Sequence, residues 1–292
     1  MATMQVGRVD EFKESQEDFG NYMERLEQWM IANEIKDERK AGGTSFSKLD
    51  LSHAYQQLQL DADSEQYLTI NTHRGLYRYH RLSYGVSSAP SIFQSVMDQI
   101  LQGLEHITCF LDDTLITASS KEEHLRRLDE VLTHLETYNV RVKLAKCKFL
   151  QSSVEYLGHW IDKDGLHPTD EKVAAIVKAP KPNNVTELRS FLGLLNYYGK
   201  FLPKLSSLLQ PLHNLLKQNE AWSWTAECDA AFEKAKQLLL QSKVLVHYDT
   251  NRPLKLVYDV SPYGVGAVIS HIMDNGEEQP IVFASRKELR PN

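Results

Sequence analysis

Short apolar runs separated by turns, with two amphipathic helices set among them, constrain the fold of residues 45–161 more than any other feature. Runs rich in β-branched and aromatic residues predict strands at residues 46–51, 66–71, 76–82, 107–111, 114–118 and 154–161. Apolar residues at helical spacing predict helices over about 88–102 and 121–138. Strands and helices interleaved on this scale predict an α+β architecture, in which a sheet is backed by helices.

The apolar stripes of these two helices predict which faces are buried. On the first helix the stripe contains Ile92, Phe93, Val96, Met97, Ile100 and Leu101. On the second it contains Leu125, Leu128, Leu132 and Leu135. We expect both stripes to cover the sheet.

The remainder of the chain divides into a helical stretch and a second set of strands. Residues 168–242 carry helical patterns punctuated by prolines. Beyond them, residues 244–248, 253–260, 264–270 and 280–285 predict strands of an antiparallel meander. Because the sequence stops soon after the last strand, we expect this second sheet to be truncated.

The first 43 residues predict a separate helix followed by a hinge. Residues 14–36 place one apolar stripe at helical spacing, made of Phe19, Tyr22, Met23, Leu26, Trp29 and Met30. Gly42 and Gly43 then predict a hinge.

Composition excludes several classes of protein. The net charge of −6 argues against a strongly basic nucleic-acid coat, and three cysteines without a CxxC pair predict reduced thiols rather than a zinc site. No apolar run approaches the roughly 20 residues of a membrane span, and the start of the chain lacks a signal-peptide core. We therefore expect a soluble intracellular protein with no membrane partner.

Adjacent aspartates in the segment CFLDDTLITA (109–118) are the strongest chemical signal. Asp112 and Asp113 interrupt two β-prone runs, which predicts a hairpin with its carboxylates at the turn. Paired aspartates are also common in turns that have no chemical role. Asp50 ends an apolar strand and offers a third carboxylate. Clustered carboxylates favour metal ions over protons, and two Mg²⁺ ions suit an in-line displacement by a 3′-hydroxyl.

Several segments resemble one protein family. Residues 46–60, 67–94, 109–116 and 154–169 resemble the palm of a reverse transcriptase from LTR retrotransposons of the Ty3/gypsy type. The likeness continues through residues 184–206, which match the helical thumb and connection, into residues 254–271, which match the opening of the RNase H domain. The resemblance implies an antiparallel palm sheet backed by helices, a helical thumb and connection, and an RNase H-like sheet.

For the active site, the resemblance implies that Asp50, Asp112 and Asp113 form the metal-binding triad, with Asp113 in either a direct or a supporting role. The triad would hold two Mg²⁺ ions, with Mn²⁺ as a substitute. The reaction would join deoxynucleotides from dNTPs to a primer 3′-end on an RNA or DNA template.

Four further residues match the nucleotide-binding positions of the family. Tyr55 matches the aromatic residue beneath the incoming sugar, although a half-buried strand tyrosine is the simpler reading of that residue alone. Tyr84 stands where the family usually has Phe, and with Gly85 it would line the same pocket. Lys146 is a candidate for protonating pyrophosphate, whereas most lysines in such a basic run are merely solvated.

The resemblance also predicts what the sequence lacks. Asp259 matches the first metal-binding aspartate of RNase H, but the other carboxylates of that site would follow Asn292, so we expect no nuclease activity. The fingers, which hold the triphosphate, are largely missing, and residues 1–43 resemble the start of a Gag-like capsid protein instead. The predicted domains are this Gag-like segment and hinge (1–43), palm (44–165), thumb and connection (166–220) and truncated RNase H (221–292).

Two hypotheses remain open at this point. The first is a retroelement-derived RNA-directed DNA polymerase with an incomplete RNase H region. The second is a catalytically inactive relic that at most binds nucleic acid or protein, including self-association through the N-terminal segment.

Overall fold

The structure is a computed structural model, and it describes residues 43–217, 222–242, 244–261 and 264–287. These residues form two compact units, one ending at Tyr156 and the other beginning at Leu157. The helix predicted within residues 14–36, with the self-association assigned to it, lies outside the described residues.

The first unit contains seven strands and three helices among its described residues. The strands are β1 (Ser45–Asp50), β2 (Thr69–Thr72), β3 (Gly75–Arg78), β4 (Ile107–Phe110), β5 (Asp113–Ala118), β6 (Lys148–Gln151) and β7 (Ser153–Tyr156). The helices are α1 (Ala62–Glu65), α2 (Ala89–Ile100) and α3 (Lys121–Thr137), with 3₁₀ turns at Ala54–Gln57 and Leu144–Lys146. Ser120 caps α3, because its side chain accepts a hydrogen bond from the Glu123 amide at 3.2 Å.

The central sheet of this unit has the strand order β4-β5-β1-β6, and β2 and β3 form a separate hairpin. Strand β1 is antiparallel to both β5 and β6. Leu49 and Ile116 point to one face and join a core with Phe93 of α2 and Val131 of α3. The prediction of an antiparallel sheet backed by helices is therefore confirmed, with β6 as a strand that the sequence did not predict.

The predicted buried stripe of α3 is correct for Leu135 and for the half-buried Leu128, which packs against the core, and wrong for its other two leucines. Leu125 and Leu132 are 45% and 37% exposed, whereas the buried face contains His124, Arg127, Val131 and Leu135. Arg127 donates a hydrogen bond to the Thr117 carbonyl, and His124 Nε2 shares one with Ser47 Oγ, while His124 Nδ1 has no hydrogen-bond partner among the described residues. A stripe based on leucines alone misses a helix face that buries hydrogen-bonded polar groups. Ile92 of the α2 stripe is likewise 45% exposed.

The second unit contains helices followed by a three-stranded meander. Its helices are α4 (Asp170–Val177), α5 (Val185–Tyr197), α6 (Leu205–Leu208), α7 (Gln210–Asn214) and α8 (Ala226–Leu240), with a 3₁₀ turn at Gly199–Phe201. Its strands are β8 (His159–Asp162), β9 (Leu166–Pro168), β10 (Leu254–Ser261), β11 (Gly264–Ile272) and β12 (Glu278–Lys287). Strands β10, β11 and β12 pair antiparallel in sequence order, which confirms the predicted meander.

Two strand predictions are wrong. Residues 154–161 form two strands, because Leu157 and Gly158 both have positive φ, 46° and 67°, and turn the chain between them. Residues 244–248 form no regular strand; Leu245 makes only an isolated bridge to Leu166. A short apolar run predicts a buried segment, but it does not supply the partner that a strand requires.

In the part of the chain that the structure describes, no helix is both long and apolar enough to cross a bilayer.

Candidate active site

Three aspartates lie at one end of the central sheet of the first unit. The register between β1 and β5 places Asp50 opposite Asp113, and Asp113 also pairs with Phe110 at the end of β4. Asp112 lies in the two-residue turn between β4 and β5. Paired residues of an antiparallel sheet point to the same face, so Asp50 and Asp113 share the face opposite the helices. The predicted hairpin with carboxylates at its turn is confirmed.

The turn that carries Asp112 has an unusual backbone. Leu111 has a φ of 54°, a left-handed conformation that costs a residue with a Cβ atom about 1–3 kcal/mol. Neighbouring groups hold this conformation through hydrogen bonds. The amide of Leu51 donates to the Asp112 carbonyl at 2.9 Å, and the side chain of Gln94 accepts from the Leu111 amide at 2.7 Å. The turn is therefore fixed both from β1 and from helix α2.

Two lysines form ion pairs with the aspartates. Lys48 Nζ lies 2.9 Å from Asp113 Oδ2, and Lys146 Nζ lies 3.1 Å from Asp50 Oδ2. Burial raises the pKa of Asp113 above its ordinary value; Lys48 opposes this shift, while the charges of Asp112 and Asp50 add to it. The hydrogen bond and charge of Asp50 raise the pKa of Lys146, so its ammonium group keeps its proton.

The main chain around Lys146 places this lysine beside Asp50. The Lys143 amide donates to the Asp50 carbonyl at 2.7 Å, and the Ser52 amide donates to the Arg141 carbonyl at 2.8 Å. Residues 141–147 thus run alongside the end of β1 before β6 begins. The basic run is a structural partner of the strand that carries Asp50, and not only a solvated surface.

The three aspartates fit divalent cations by chemistry and by position. Carboxylate oxygens are the ligands that Mg²⁺ and Mn²⁺ prefer, and the sheet brings three carboxylates to one end. As placed, however, no group of three or more His, Cys, Asp or Glu side chains among the described residues is gathered closely enough to hold a metal ion. Lys48 and Lys146 each pair with one of these carboxylates.

An aromatic cluster forms around a tyrosine that follows β1 in the chain. The half-buried ring of Tyr55, five residues after Asp50, lies 5.2 Å from the ring of Tyr84 and 5.4 Å from that of Phe93. Tyr84 is 58% exposed. Gly85 has a φ of 91°, and its α-carbon faces open space. The rings of the two tyrosines predicted to bind the nucleotide therefore lie next to each other. Gly85 follows Tyr84 in the chain.

The predicted RNase H aspartate lies in the second unit. Asp259 is on β10, opposite Gly266 of β11, and its Oδ2 atom lies 2.6 Å from Lys204 Nζ. Both side chains are more than half exposed. As at the three aspartates of the first unit, no group of three or more potential metal ligands surrounds Asp259 among the described residues.

Two residues of the site were missed by the sequence predictions. Lys48 is a charged residue inside a β-prone run. The interruption of an apolar pattern between Phe46 and Leu49, both of which are buried, is a signal that the sequence carries. Gln94 is a polar residue beside the apolar stripe of α2. Its role depends on the approach of α2 to the β4–β5 turn, which no local sequence pattern reveals.

Comparison with known proteins decides the family. The sequence pattern described as "Reverse transcriptase (RNA-dependent DNA polymerase)" matches residues 6–161, and that described as "RNase H-like domain found in reverse transcriptase" matches residues 224–290. The chain belongs to the reverse transcriptase family. The first match begins at residue 6, inside the segment predicted to resemble Gag, so the Gag likeness stays a prediction.

Relatives of this reverse transcriptase include curated retrotransposon proteins. The Tf2-3 and Tf2-4 transposon polyproteins of Schizosaccharomyces pombe are each 38% identical to it over 248 residues, which is 84% of this chain. The chain spans about a fifth of their length, since the match covers 19% of each polyprotein. The predicted likeness to Ty3/gypsy-type retrotransposon Pol proteins is therefore confirmed.

Solved structures agree with this assignment. A foamy viral protease-reverse transcriptase in complex with double-stranded DNA matches 84% of the chain with a TM-score of 0.75 and 26% identity, over 43% of its own length. The same viral protein in complex with an RNA/DNA hybrid matches 86% with a TM-score of 0.73 and 25% identity, over 35% of its own length. The reverse transcriptase fold is thereby established independently of the sequence motifs.

Proposed function

We propose that this chain is an RNA-directed DNA polymerase of retroelement origin that joins deoxynucleotides to a primer 3′-end at Asp50, Asp112 and Asp113. The observation that carries the proposal is the register of β1, β4 and β5, which gathers these carboxylates at one sheet end. Its partners would be an RNA or DNA template-primer and dNTPs. The nucleic-acid complexes of the foamy viral relative support that choice of partner.

Each residue of the site has a proposed task. Asp50 and Asp112 would hold two Mg²⁺ or Mn²⁺ ions, and Asp113, paired with Lys48, would support them. When bound, such ions lower the barrier of the displacement by neutralising charge on the attacking and leaving oxygens. Because two carboxylates now face lysines, ion binding requires Lys48 and Lys146 to yield part of their contacts.

The aromatic cluster and Lys146 complete the proposed mechanism. Tyr55 would lie beneath the incoming sugar and exclude a ribose 2′-hydroxyl, while Tyr84 and Gly85 would line the same pocket. The primer 3′-hydroxyl would attack the α-phosphate in line, with pyrophosphate as the leaving group. Lys146, whose pKa is raised beside Asp50, would carry the proton that neutralises the departing pyrophosphate.

The remaining domains keep their predicted roles in this proposal. Residues 44–165 would act as the palm, 166–220 as the thumb and connection, and 221–292 as an RNase H region. Since Asp259 pairs with Lys204 and belongs to no group of three or more potential ligands among the described residues, we expect the chain alone not to cleave RNA.

Primer extension tests the proposed function directly. Purified full chain would be given an RNA template, a DNA primer, dNTPs and Mg²⁺ or Mn²⁺, beside the Asp112→Asn variant. We expect extension by the wild type and a loss of at least about 100-fold in the variant, because the substitution removes one charge from the site. No extension by a folded wild-type protein would contradict the proposal and support the inactive relic that only binds nucleic acid or protein.

A further inference from the structure

Gln94 contacts the backbone on both sides of Phe110, next to the turn that carries Asp112. Its Nε2 atom donates to the Cys109 carbonyl at 3.0 Å, and its Oε1 atom accepts from the Leu111 amide at 2.7 Å. One planar amide thus satisfies a carbonyl and an amide of the same strand end, as a neighbouring strand would. This two-point contact joins α2 to the last residues of β4.

The contact holds the one residue of the turn whose backbone is unfavourable. Leu111 has positive φ, a conformation that persists in residues with a Cβ atom only when the surroundings over-determine it. The conformation of Leu111 sets the direction of the chain at Asp112 and Asp113. Releasing the Leu111 amide would therefore let the turn relax and move these carboxylates away from Asp50.

The orientation of the Gln94 amide is itself fixed. Its Nε2 atom also donates to Asp98 Oδ1 at 2.8 Å, one helical turn further along α2. With the nitrogen occupied by Asp98 and Cys109, the oxygen is left facing Leu111. The half-buried position of Gln94 keeps water from replacing these contacts readily.

We propose that Gln94 is a positioning residue of the polymerase site, which clamps the turn between β4 and β5 so that Asp112 and Asp113 stay aligned with Asp50. It acts through the backbone and touches none of the reacting groups. The proposal rests on the proposed function only where it concerns metal affinity, since the clamp itself is a property of the folded chain.

Two measurements on the full chain test the clamp. The Gln94→Leu variant removes both backbone contacts at similar volume, and Gln99→Leu on the exposed side of the same helix is the matched control. Hydrogen exchange at Leu111, resolved by fragmentation mass spectrometry, should accelerate by about 10-fold or more in Gln94→Leu and stay within about 2-fold in the control. Affinity for Mn²⁺, followed by electron paramagnetic resonance, should fall by about 3- to 30-fold in Gln94→Leu alone.

Gln94→Glu provides a second variant in case Gln94→Leu fails to fold. It keeps the acceptor for the Leu111 amide but loses the donor to Cys109, so its effects should lie between those of the wild type and Gln94→Leu. Unchanged exchange at Leu111 in a folded variant would overturn the clamp, as would faster exchange with Mn²⁺ affinity equal to that of the wild type. If Asp112→Asn leaves Mn²⁺ binding unchanged, the proposed function fails, and the exchange at Leu111 alone then decides the clamp.

Discussion

The two units of the chain each present an aspartate that the sequence predicts as a metal ligand, and they surround it very differently. In the first unit, the turn between β4 and β5 and the end of β1 bring Asp50, Asp112 and Asp113 together. In the second, Asp259 lies on an exposed strand beside Lys204. A motif predicts a metal ligand in both units, but only in the first does a sheet register bring carboxylates from distant segments to the same strand ends.

The ion pairs sharpen this contrast. Lys48 and Asp113 are 21% and 23% exposed, whereas Lys204 and Asp259 are 67% and 57% exposed. Charges held in a half-buried site interact strongly with one another, whereas exposed pairs are screened by water. The charges of the Lys48–Asp113 pair are therefore coupled more strongly than those of the Lys204–Asp259 pair.

The largest expected effect on stability comes from substitutions in the hydrophobic core of each unit. Phe93→Ala and Phe232→Ala each remove a ring that is at most 2% exposed, so each should lower the free energy of unfolding by about 3–5 kcal/mol. Hydrogen exchange read by peptide should show the loss of protection within the unit that carries the substitution. Equal loss across both units in either variant would contradict the division at Tyr156 and Leu157.

A smaller effect separates the two ion pairs. Lys48→Met should cost about 1–2 kcal/mol at pH 7, because Asp113 is left half-buried without its partner, whereas Lys204→Met should cost less than about 0.5 kcal/mol. Burial raises the pKa of Asp113, so this carboxylate takes up its proton early on acidification, and the cost of Lys48→Met should shrink toward pH 4. Urea denaturation of both variants at pH 7 and at pH 4 measures these costs. Equal costs for the two variants would remove the electrostatic distinction.

The smallest effect concerns one histidine in each unit, the buried His124 and the half-buried His247. Burial lowers the pKa of His124, which bonds Ser47, and of His247, which bonds the Asp162 carbonyl. The stability each neutral ring contributes is complete above the ordinary histidine pKa of about 6.5 and is lost as pH falls below it, because only the unfolded chain then gains the proton.

Between pH 7 and 5.5, each histidine should account for about 0.5–1 kcal/mol of lost stability. His124→Gln and His247→Gln keep a polar atom near the Nε2 position and should flatten the pH dependence of urea midpoints. The quantity that decides the test is the slope of the urea midpoint against pH, and not the absolute stability of the variants. A slope as steep as that of the wild type in both variants would exclude these histidines as its source.

Local patterns predicted much of the fold, whereas the assignment of the three aspartates as a metal-binding triad came from the family resemblance and stays a prediction. The strand ending at Asp50, the hairpin at Asp112 and Asp113, and the meander containing Asp259 each follow from short-range alternation and turn chemistry. Strand β6 was not predicted, because residues 148–151 alternate too little to be distinguished from a basic loop. The split of residues 154–161 was missed because its one compositional signal, Gly158, is a lone glycine that suggests a bulge as readily as a turn.

The contacts within the site could not be predicted to the same extent. Lys48 and Lys146 lie far from their partners in sequence, and their ion pairs arise only from the register of β1 with β5 and from the path of residues 141–147. Gln94 likewise reaches the β4–β5 turn through helix packing. Sequence motifs predicted which carboxylates bind metal ions, while tertiary structure determined which cations and amides lie beside them.

Mn²⁺ binding to the full chain tests the central claim most directly, namely that the first unit alone assembles a cation site. Wild type, Asp112→Asn and Asp259→Asn would be titrated with Mn²⁺ and free ion measured by electron paramagnetic resonance. We expect Asp112→Asn to weaken binding by at least about 10-fold and Asp259→Asn to change it by less than about 2-fold. Binding that survives in Asp112→Asn, or that is lost in Asp259→Asn, would contradict the account.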